Sequence, residues 1–307
     1  MNRVMPDLSP STEPLALGKS GLTVSPIAWG MWRFAGSDLS AARARIDAAL
    51  AAGITLFDTA DVYGPDNNEA FGAAESLLGR VLADAPDLAG RMVLATKGGI
   101  IPGAPYDSSA TYLADALDAS LKRMGVERVA LYQIHRPDLL AHPQEVAGAL
   151  ERMVASGKVA AVGVSNHSAA QAAALQSFLP IPLANHQPEF SPLATRPLFD
   201  GVFDQAMAEG MAVLAWSPLG GGRIGRGEGD AQAVAVAALL DAKAAACGVS
   251  RAAAAYSWIM VHPTRPIPIV GTQDPVRIAQ AADAFKVGWS RAEWYAVLEA
   301  GMGERLP

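Results

Sequence analysis

An aspartate, a tyrosine, a lysine and a histidine stand in matching places along this chain. Asp58 closes the apolar run Ile54–Phe57, and Tyr63 follows five residues later, directly before Gly64. Lys97 and His135 close later apolar runs in the same way. These residue types suit proton handling. A free tyrosine has a pKa of about 10 and is a poor acid at neutral pH. An ammonium about 4 Å from its oxygen, at an effective dielectric of about 20, favours phenolate by roughly 4 kcal/mol. That equals about three pKa units and brings Tyr63 towards about 7. Lys97 is the cation, and Asp58 keeps it protonated and aimed. Tyr63 can then donate a proton to a carbonyl oxygen as negative charge grows there, a step typically worth ~10²–10⁴ in rate. His135 is placed to hydrogen-bond the same oxygen and orient the substrate.

None of these side chains supplies electrons, so a hydride carrier is the natural complement. Asn166 and Gln187 are suited to hold a carboxamide such as that of nicotinamide, and Trp216 offers a flat face for its ring.

The elements that must position this set are short β-rich runs alternating with longer alanine- and leucine-rich segments. The predicted strands are Ile27–Gly30, Ile54–Phe57, Met92–Thr96, Ala130–Ile134, Ala160–Val164, Leu183–His186, Ala212–Trp216 and Ile267–Val270. Most are continuous apolar runs, as expected of parallel strands covered on both faces. Predicted helices span Ala41–Ala52, Asn68–Leu82, Ser109–Met124, Pro143–Ser156, Ser168–Ser177, Pro197–Glu209 and Pro275–Phe285. Ser40 and Ser168 are suited to cap, Pro143 and Pro275 to open first turns, and Gly53 and Gly125 to stop helices. Eight strands alternating with helices predict an α/β fold, a closed TIM (β/α)8 barrel, with catalytic residues at the C-terminal ends of its strands. An N-terminal β-hairpin, Leu15–Gly18 and Leu22–Val24, precedes the barrel and is placed to plug its bottom. Extra helices around Gln232–Ala246 and Arg251–Val261 separate strands seven and eight, and a C-terminal helix covers about Arg291–Gly301. Residues 1–14, punctuated by Pro6, Pro10 and Pro14, read as a flexible arm before one domain spanning 15–307.

The totals exclude several classes. The chain has 307 residues, 51% apolar and 18% charged, with net charge −6 and pI about 5.4. An acidic chain of this kind argues against general nucleic-acid binding. The only cysteine, Cys247, excludes an internal disulfide and reads as packing. No signal-peptide core and no long apolar span is present, so neither membrane insertion nor secretion is expected and the cytoplasm is the default. His142, His167, His186 and His262 read as surface or packing residues. No histidine pair has helical metal-ligand spacing, so no metal is expected. Asp61 reads as a loop residue. Gly220-Gly221-Gly222-Arg223-Ile224-Gly225 fits G-x-G-x-x-G, but Arg226-Gly227-Glu228-Gly229 continues the loop where a dinucleotide motif would open a helix. A phosphate-covering loop is the better reading. Trp32 and Tyr106 are candidates to line a substrate pocket, and Trp29 is equally suited to the core.

Taken together, these motifs resemble the aldo-keto reductase family over nearly the whole chain. The family pattern stands here as Gly53-Ile54-Thr55-Leu56-Phe57-Asp58-Thr59-Ala60-Asp61-Val62-Tyr63-Gly64. Further matches are Ala95-Thr96-Lys97, Tyr132-Gln133-Ile134-His135-Arg136, Gly163-Val164-Ser165-Asn166 and Ala215-Trp216-Ser217-Pro218-Leu219. The wording around His135-Arg136-Pro137-Asp138 is similar to a bacterial oxidoreductase branch. The resemblance implies NADPH-dependent reduction of small aldehydes or ketones without a Rossmann domain. It implies a tetrad of Asp58, Tyr63, Lys97 and His135, with Tyr63 as acid. It also implies Ser165, Asn166 and Gln187 on the carboxamide and Trp216 on the nicotinamide ring. Ser217, Pro218, Leu219, Gly220, Gly222 and Arg223 would hold the pyrophosphate, and Gly271, Thr272 and Arg277 the adenosine 2′-phosphate. Many members carry a lysine at Gly271 and a Glu-Asn pair at Gln280-Ala281. Arg277 and Arg223 remain to offset the phosphate's charge, so NADP is expected with NADH as second candidate. Two other functions fit parts of the pattern: a cofactor-binding sensor with little turnover, and a barrel lyase using Lys97 as a Schiff-base nucleophile.

Overall fold

The computed structural model describes residues 8–307. Twelve strands and eleven α-helices follow one another as β1 (Leu15–Ala16), β2 (Thr23–Val24), β3 (Ala28–Gly30), α1 (Leu39–Ala51), β4 (Leu56–Asp58), α2 (Ala73–Asp84), β5 (Val93–Gly98), β6 (Ile100–Ile101), β7 (Ala104–Tyr106), α3 (Ala110–Met124), β8 (Val129–Ile134), α4 (Pro143–Ala155), β9 (Val159–Ser165), α5 (Ala169–Phe178), β10 (Asn185–Gln187), α6 (Val202–Glu209), β11 (Ala212–Ala215), α7 (Arg223–Arg226), α8 (Ala231–Cys247), α9 (Arg251–Met260), β12 (Ile267–Val270), α10 (Pro275–Gln280) and α11 (Arg291–Met302). Eight of the strands close a parallel barrel in the order β3-β4-β5-β8-β9-β10-β11-β12. All eight predicted strands are present, and the TIM barrel read from the alternation is the fold.

Strand alternation divides the apolar side chains into two layers. Trp29, Phe57, Leu94, Tyr132, Val162, Val164 and Val270 face outward and pack with the helices. Leu56, Ala95, Leu131, Ala161, Leu214 and Ile267 face inward and fill the lower barrel. The hairpin β1-β2 closes the bottom, with Leu17 and Val24 buried in the same inner cluster. Gly18 makes that approach feasible. Its φ is +57°, and a Cβ there would lie 2.2 Å from the Ala184 carbonyl oxygen.

Several predicted boundaries move. Asp58, Lys97, Ser165 and Gln187 lie within strands rather than beyond them. The helix expected from Asn68 starts at Ala73, because Pro65–Asn67 forms a 3-10 turn and Gly72 holds a left-handed φ of 78°. The segments predicted as Pro197–Glu209 and Pro275–Phe285 each divide into an α-helix and a 3-10 turn. Residues 1–7 of the expected arm lie outside the described residues. Leu8 is tied to Trp289 by two backbone hydrogen bonds of 2.7 and 2.8 Å. Among the described residues, no single helix is long and apolar enough to cross a membrane.

Candidate active site

Continuing the inward register upward from the apolar layer places polar groups at the same height. Two residues above Leu56 comes Asp58, above Ala95 comes Lys97, and above Leu131 come Gln133 and then His135. Lys97 is fully buried, and its ammonium donates to Asp58 Oδ2 at 2.7 Å, Thr59 O at 2.8 Å and Tyr63 Oη at 3.0 Å. Tyr63 reaches this point from the turn after β4, which the Asp61 amide anchors to the Lys97 carbonyl at 3.0 Å. The rings of Tyr63 and His135 meet edge to face with centroids 5.9 Å apart. Asp58, Tyr63, Lys97 and His135 are therefore brought together.

The electrostatics correct one expectation. Burial raises the Tyr63 pKa more than Lys97 lowers it, and Asp58 raises it further, leaving the phenol above its ordinary value. The lysine's field alone would lower the phenol, but lost hydration and the carboxylate that offsets that field outweigh it. Burial also opposes the charge on Lys97, yet Asp58 and Tyr63 outweigh it and hold the lysine above its ordinary range. Burial, then Lys97 and Arg136, push His135 well below its ordinary pKa, so its imidazole is neutral. Its Nδ1 is buried without a partner. An orphaned N–H donor is rarer than an orphaned acceptor, which assigns the proton to Nε2, the ring nitrogen that is not sealed off.

The expected carboxamide residues adjoin this group. Asn166 Nδ2 donates to the His135 carbonyl at 3.1 Å and to Ser165 Oγ at 2.9 Å, while its Oδ1 accepts from Trp216 Nε1 at 2.9 Å. Ser165 Oγ donates to the Gln187 carbonyl at 2.9 Å. Gln187 Nε2 donates to Asp58 Oδ1 at 3.1 Å. Gln187 Oε1 accepts nothing from the described chain, yet it is not among the sealed, unpaired atoms. One acceptor thus stays open at the mouth, suited to the NH₂ of a primary carboxamide.

The remaining expected residues spread outward from that point. Ser217 has φ +53°, and its Oγ accepts from the Gly221 amide at 2.7 Å. Pro218 and Leu219 follow, and Gly220, Gly221 and Gly222 all take positive φ. Arg223 pairs with Asp230 at 2.9 Å and opens the one-turn α7 instead of a continuous loop. Gly271 is exposed, the Thr272 carbonyl accepts from Trp29 Nε1 at 2.9 Å, and Arg277 is 74% exposed beside Asp274. Trp29 is core. Trp32 stands at the rim, 43% exposed, with its indole donating to Asp66 at 2.8 Å. Tyr106 lies on the β6-β7 hairpin, an element the sequence did not reveal.

Sequence reasoning also passed over a buried cluster behind β5. Thr96 faces out of the barrel and donates to Glu75, which pairs with Arg123 at 2.7 Å. Asp61, read as a loop residue, is buried beside them and accepts from Tyr112 at 3.3 Å. Burial and the Glu75 charge push its pKa up to about 7. Its folded pKa is raised, so its contribution to stability is complete below its unfolded pKa near 3.8 and is lost as pH rises through about 7. Asp61→Asn is therefore expected to be more stable than wild type at pH 8 by roughly 2–4 kcal/mol, with the gap closing towards pH 4. Urea midpoints across that range check it; a pH-independent difference would contradict it. His186, read as surface or packing, is packing: it is fully buried, and burial holds it down to about 4.

A closed (β/α)8 barrel that brings a buried lysine, its carboxylate partner and a tyrosine hydroxyl together at one end defines the fold class and the candidate site. Comparison with known proteins narrows the class. A sequence model described as Aldo/keto reductase family matches residues 26–300, so the chain belongs to the aldo/keto reductase family and is an oxidoreductase. It is 56% identical over 293 residues to a 6-dehydroglucose reductase of Novosphingobium aromaticivorans, covering 95% of this chain and 96% of that one. It is 36% identical over 297 residues to a 6-dehydroglucose reductase of Agrobacterium fabrum, covering 93% and 97%. A thermostable aldo-keto reductase solved with the inhibitor epalrestat shares the fold at TM-score 0.80 and 20% identity, covering 94% of this chain and 99% of that one.

Proposed function

We propose that this chain reduces the aldehyde of a 6-dehydroglucose-type sugar to the alcohol, using NADPH, with Tyr63 as general acid. The observation that carries the reading is the 3.0 Å contact between the buried Lys97 ammonium and the Tyr63 hydroxyl, with Asp58 behind the lysine. A bound reduced nicotinamide supplies the hydride. Tyr63 Oη donates its proton to the carbonyl oxygen as charge develops there, and Lys97 stabilises the phenolate left behind. His135 Nε2–H donates to the same oxygen and selects the orientation of the carbonyl. Gln187, Asn166 and Ser165 hold the carboxamide, and Trp216 covers the ring. The loop from Ser217 through Gly222 to Arg223 receives the pyrophosphate. Arg277, with Gly271 and Thr272, receives the 2′-phosphate, which favours NADPH over NADH. Trp32 offers an aromatic face to the sugar at the rim, and Tyr106 on the β6-β7 hairpin offers a second.

The substrate class rests on the two relatives named above, which match this chain nearly end to end. A Schiff-base role for Lys97 is disfavoured by its ion pair, since a charged amine is no nucleophile. The test is oxidation of NADPH with glucose carrying an aldehyde at its sixth carbon, with glucose as product. Its kcat/KM is expected to exceed that of a plain aliphatic aldehyde by at least about 100-fold, as for a site that pairs with hydroxyls. Equal efficiency would overturn the sugar assignment, and absence of NADPH oxidation with any carbonyl would overturn the activity.

A further inference from the structure

Two buried amides in the barrel have no part in the proton transfer described above. Gln133 lies in β8 and Asn185 in β10; both point inward and both are fully buried. A buried amide is costly unless its groups are paired, and the pairing here runs in one direction. It starts at Asp58, whose carboxylate only accepts. Oδ2 takes Lys97, and Oδ1 takes Gln133 Nε2 at 3.2 Å and Gln187 Nε2 at 3.1 Å. Both glutamines must therefore turn their nitrogens towards Asp58. That leaves Gln133 Oε1 as an acceptor, and it takes Gln187 Nε2 at 3.2 Å and Asn185 Nδ2 at 2.7 Å.

We infer that Gln133, locked by Asn185, is a positioning residue that, together with Asp58, sets which end of the Gln187 amide faces the cofactor. This rests on the function proposed above. With its nitrogen held from two sides, Gln187 presents only Oε1 to the mouth. An acceptor there selects the NH₂ of a carboxamide. Without Gln133, Gln187 Nε2 keeps one acceptor instead of two, and the freed Asn185 NH₂, two residues away on the same inward face of β10, competes for Gln187 Oε1. The same carboxylate that aims Lys97 thereby also aims the cofactor seat. Gly163 belongs to the device. A Cβ at Gly163 would lie 1.8 Å from Asn185 Oδ1, so only glycine leaves Asn185 its place.

The experiment compares two ligands on full-length protein by tryptophan fluorescence titration. One is NADP⁺. The other is its 3-acetylpyridine analogue, which keeps the carbonyl but replaces NH₂ with methyl. Wild type is expected to bind NADP⁺ about tenfold tighter than the analogue, the usual reach of one such hydrogen bond. In Gln133→Leu that ratio is expected to fall to about one. Gly163→Ala, which removes no polar group, is expected to do the same. General structural damage would weaken both ligands together and leave the ratio unchanged. A tenfold ratio persisting in both variants overturns the positioning role while leaving the proposed function intact. Failure of wild type to bind either dinucleotide overturns the proposed function itself, and this role with it.

Discussion

Tyr63→Phe is expected to lower turnover by about 10²–10⁴ while leaving NADP⁺ affinity within about twofold. The substitution removes one oxygen and no packing surface. That oxygen is the partner of the Lys97 ammonium at 3.0 Å, and it faces the mouth beside His135. Gln187, Asn166 and Trp216 hold one another through bonds that do not involve it. Binding and turnover should therefore separate. Steady-state kinetics and a fluorescence titration on the same preparation read both quantities. Turnover within a few-fold of wild type, or affinity falling with turnover, would contradict the role assigned to the hydroxyl.

Lys97→Met should be harmful in two ways. The lysine and Asp58 form a pair almost wholly shielded from water, with 0% and 3% of their side chains exposed. Removing one member of such a pair leaves an uncompensated buried charge, at a cost of about 3–5 kcal/mol. Turnover falls as well, because the phenolate left after proton donation loses its counter-charge. The two effects can be separated. Adding Asp58→Asn neutralises the stranded carboxylate and should return most of the stability, since an amide can still accept from Gln133 or Gln187. It should return none of the turnover. Denaturant midpoints and kcat for both variants check this, and recovery of activity in the double variant would contradict it.

Much of the site was legible because strand alternation is strict. Once Leu56 and Leu131 face inward, Asp58 and His135 must follow, and a barrel brings their ends together whatever the loops do. Tyr63 and Lys97, and Asn166, Gln187 and Trp216 for a carboxamide and its ring, were legible from residue type and place, while the resemblance added Ser165 and the phosphate-binding groups. Less was legible where a property depends on surroundings. The charge on Lys97 can be read from the chain, but the burial that outweighs its effect on Tyr63 cannot. Gln133 did carry a signal that was passed over: a glutamine between Tyr132 and Ile134 in an otherwise apolar strand must be paired. Asp61, between Ala60 and Val62, carried the same kind of signal. The β6-β7 hairpin carried little, because strands of two and three residues around Pro102 and Pro105 resemble a loop.

The most direct test follows single-turnover reduction with NADPH deuterated at the transferring position, on wild type and Tyr63→Phe, from pH 6 to 11. The product alcohol should carry one deuterium on the former carbonyl carbon. Because the phenol is held above its ordinary pKa, the wild-type rate should stay level through neutral pH and fall only beyond about 10, and the Phe variant should lack that fall. An unlabelled product would show that the hydride comes from elsewhere, and an alkaline fall that survives in Tyr63→Phe would show that the proton does.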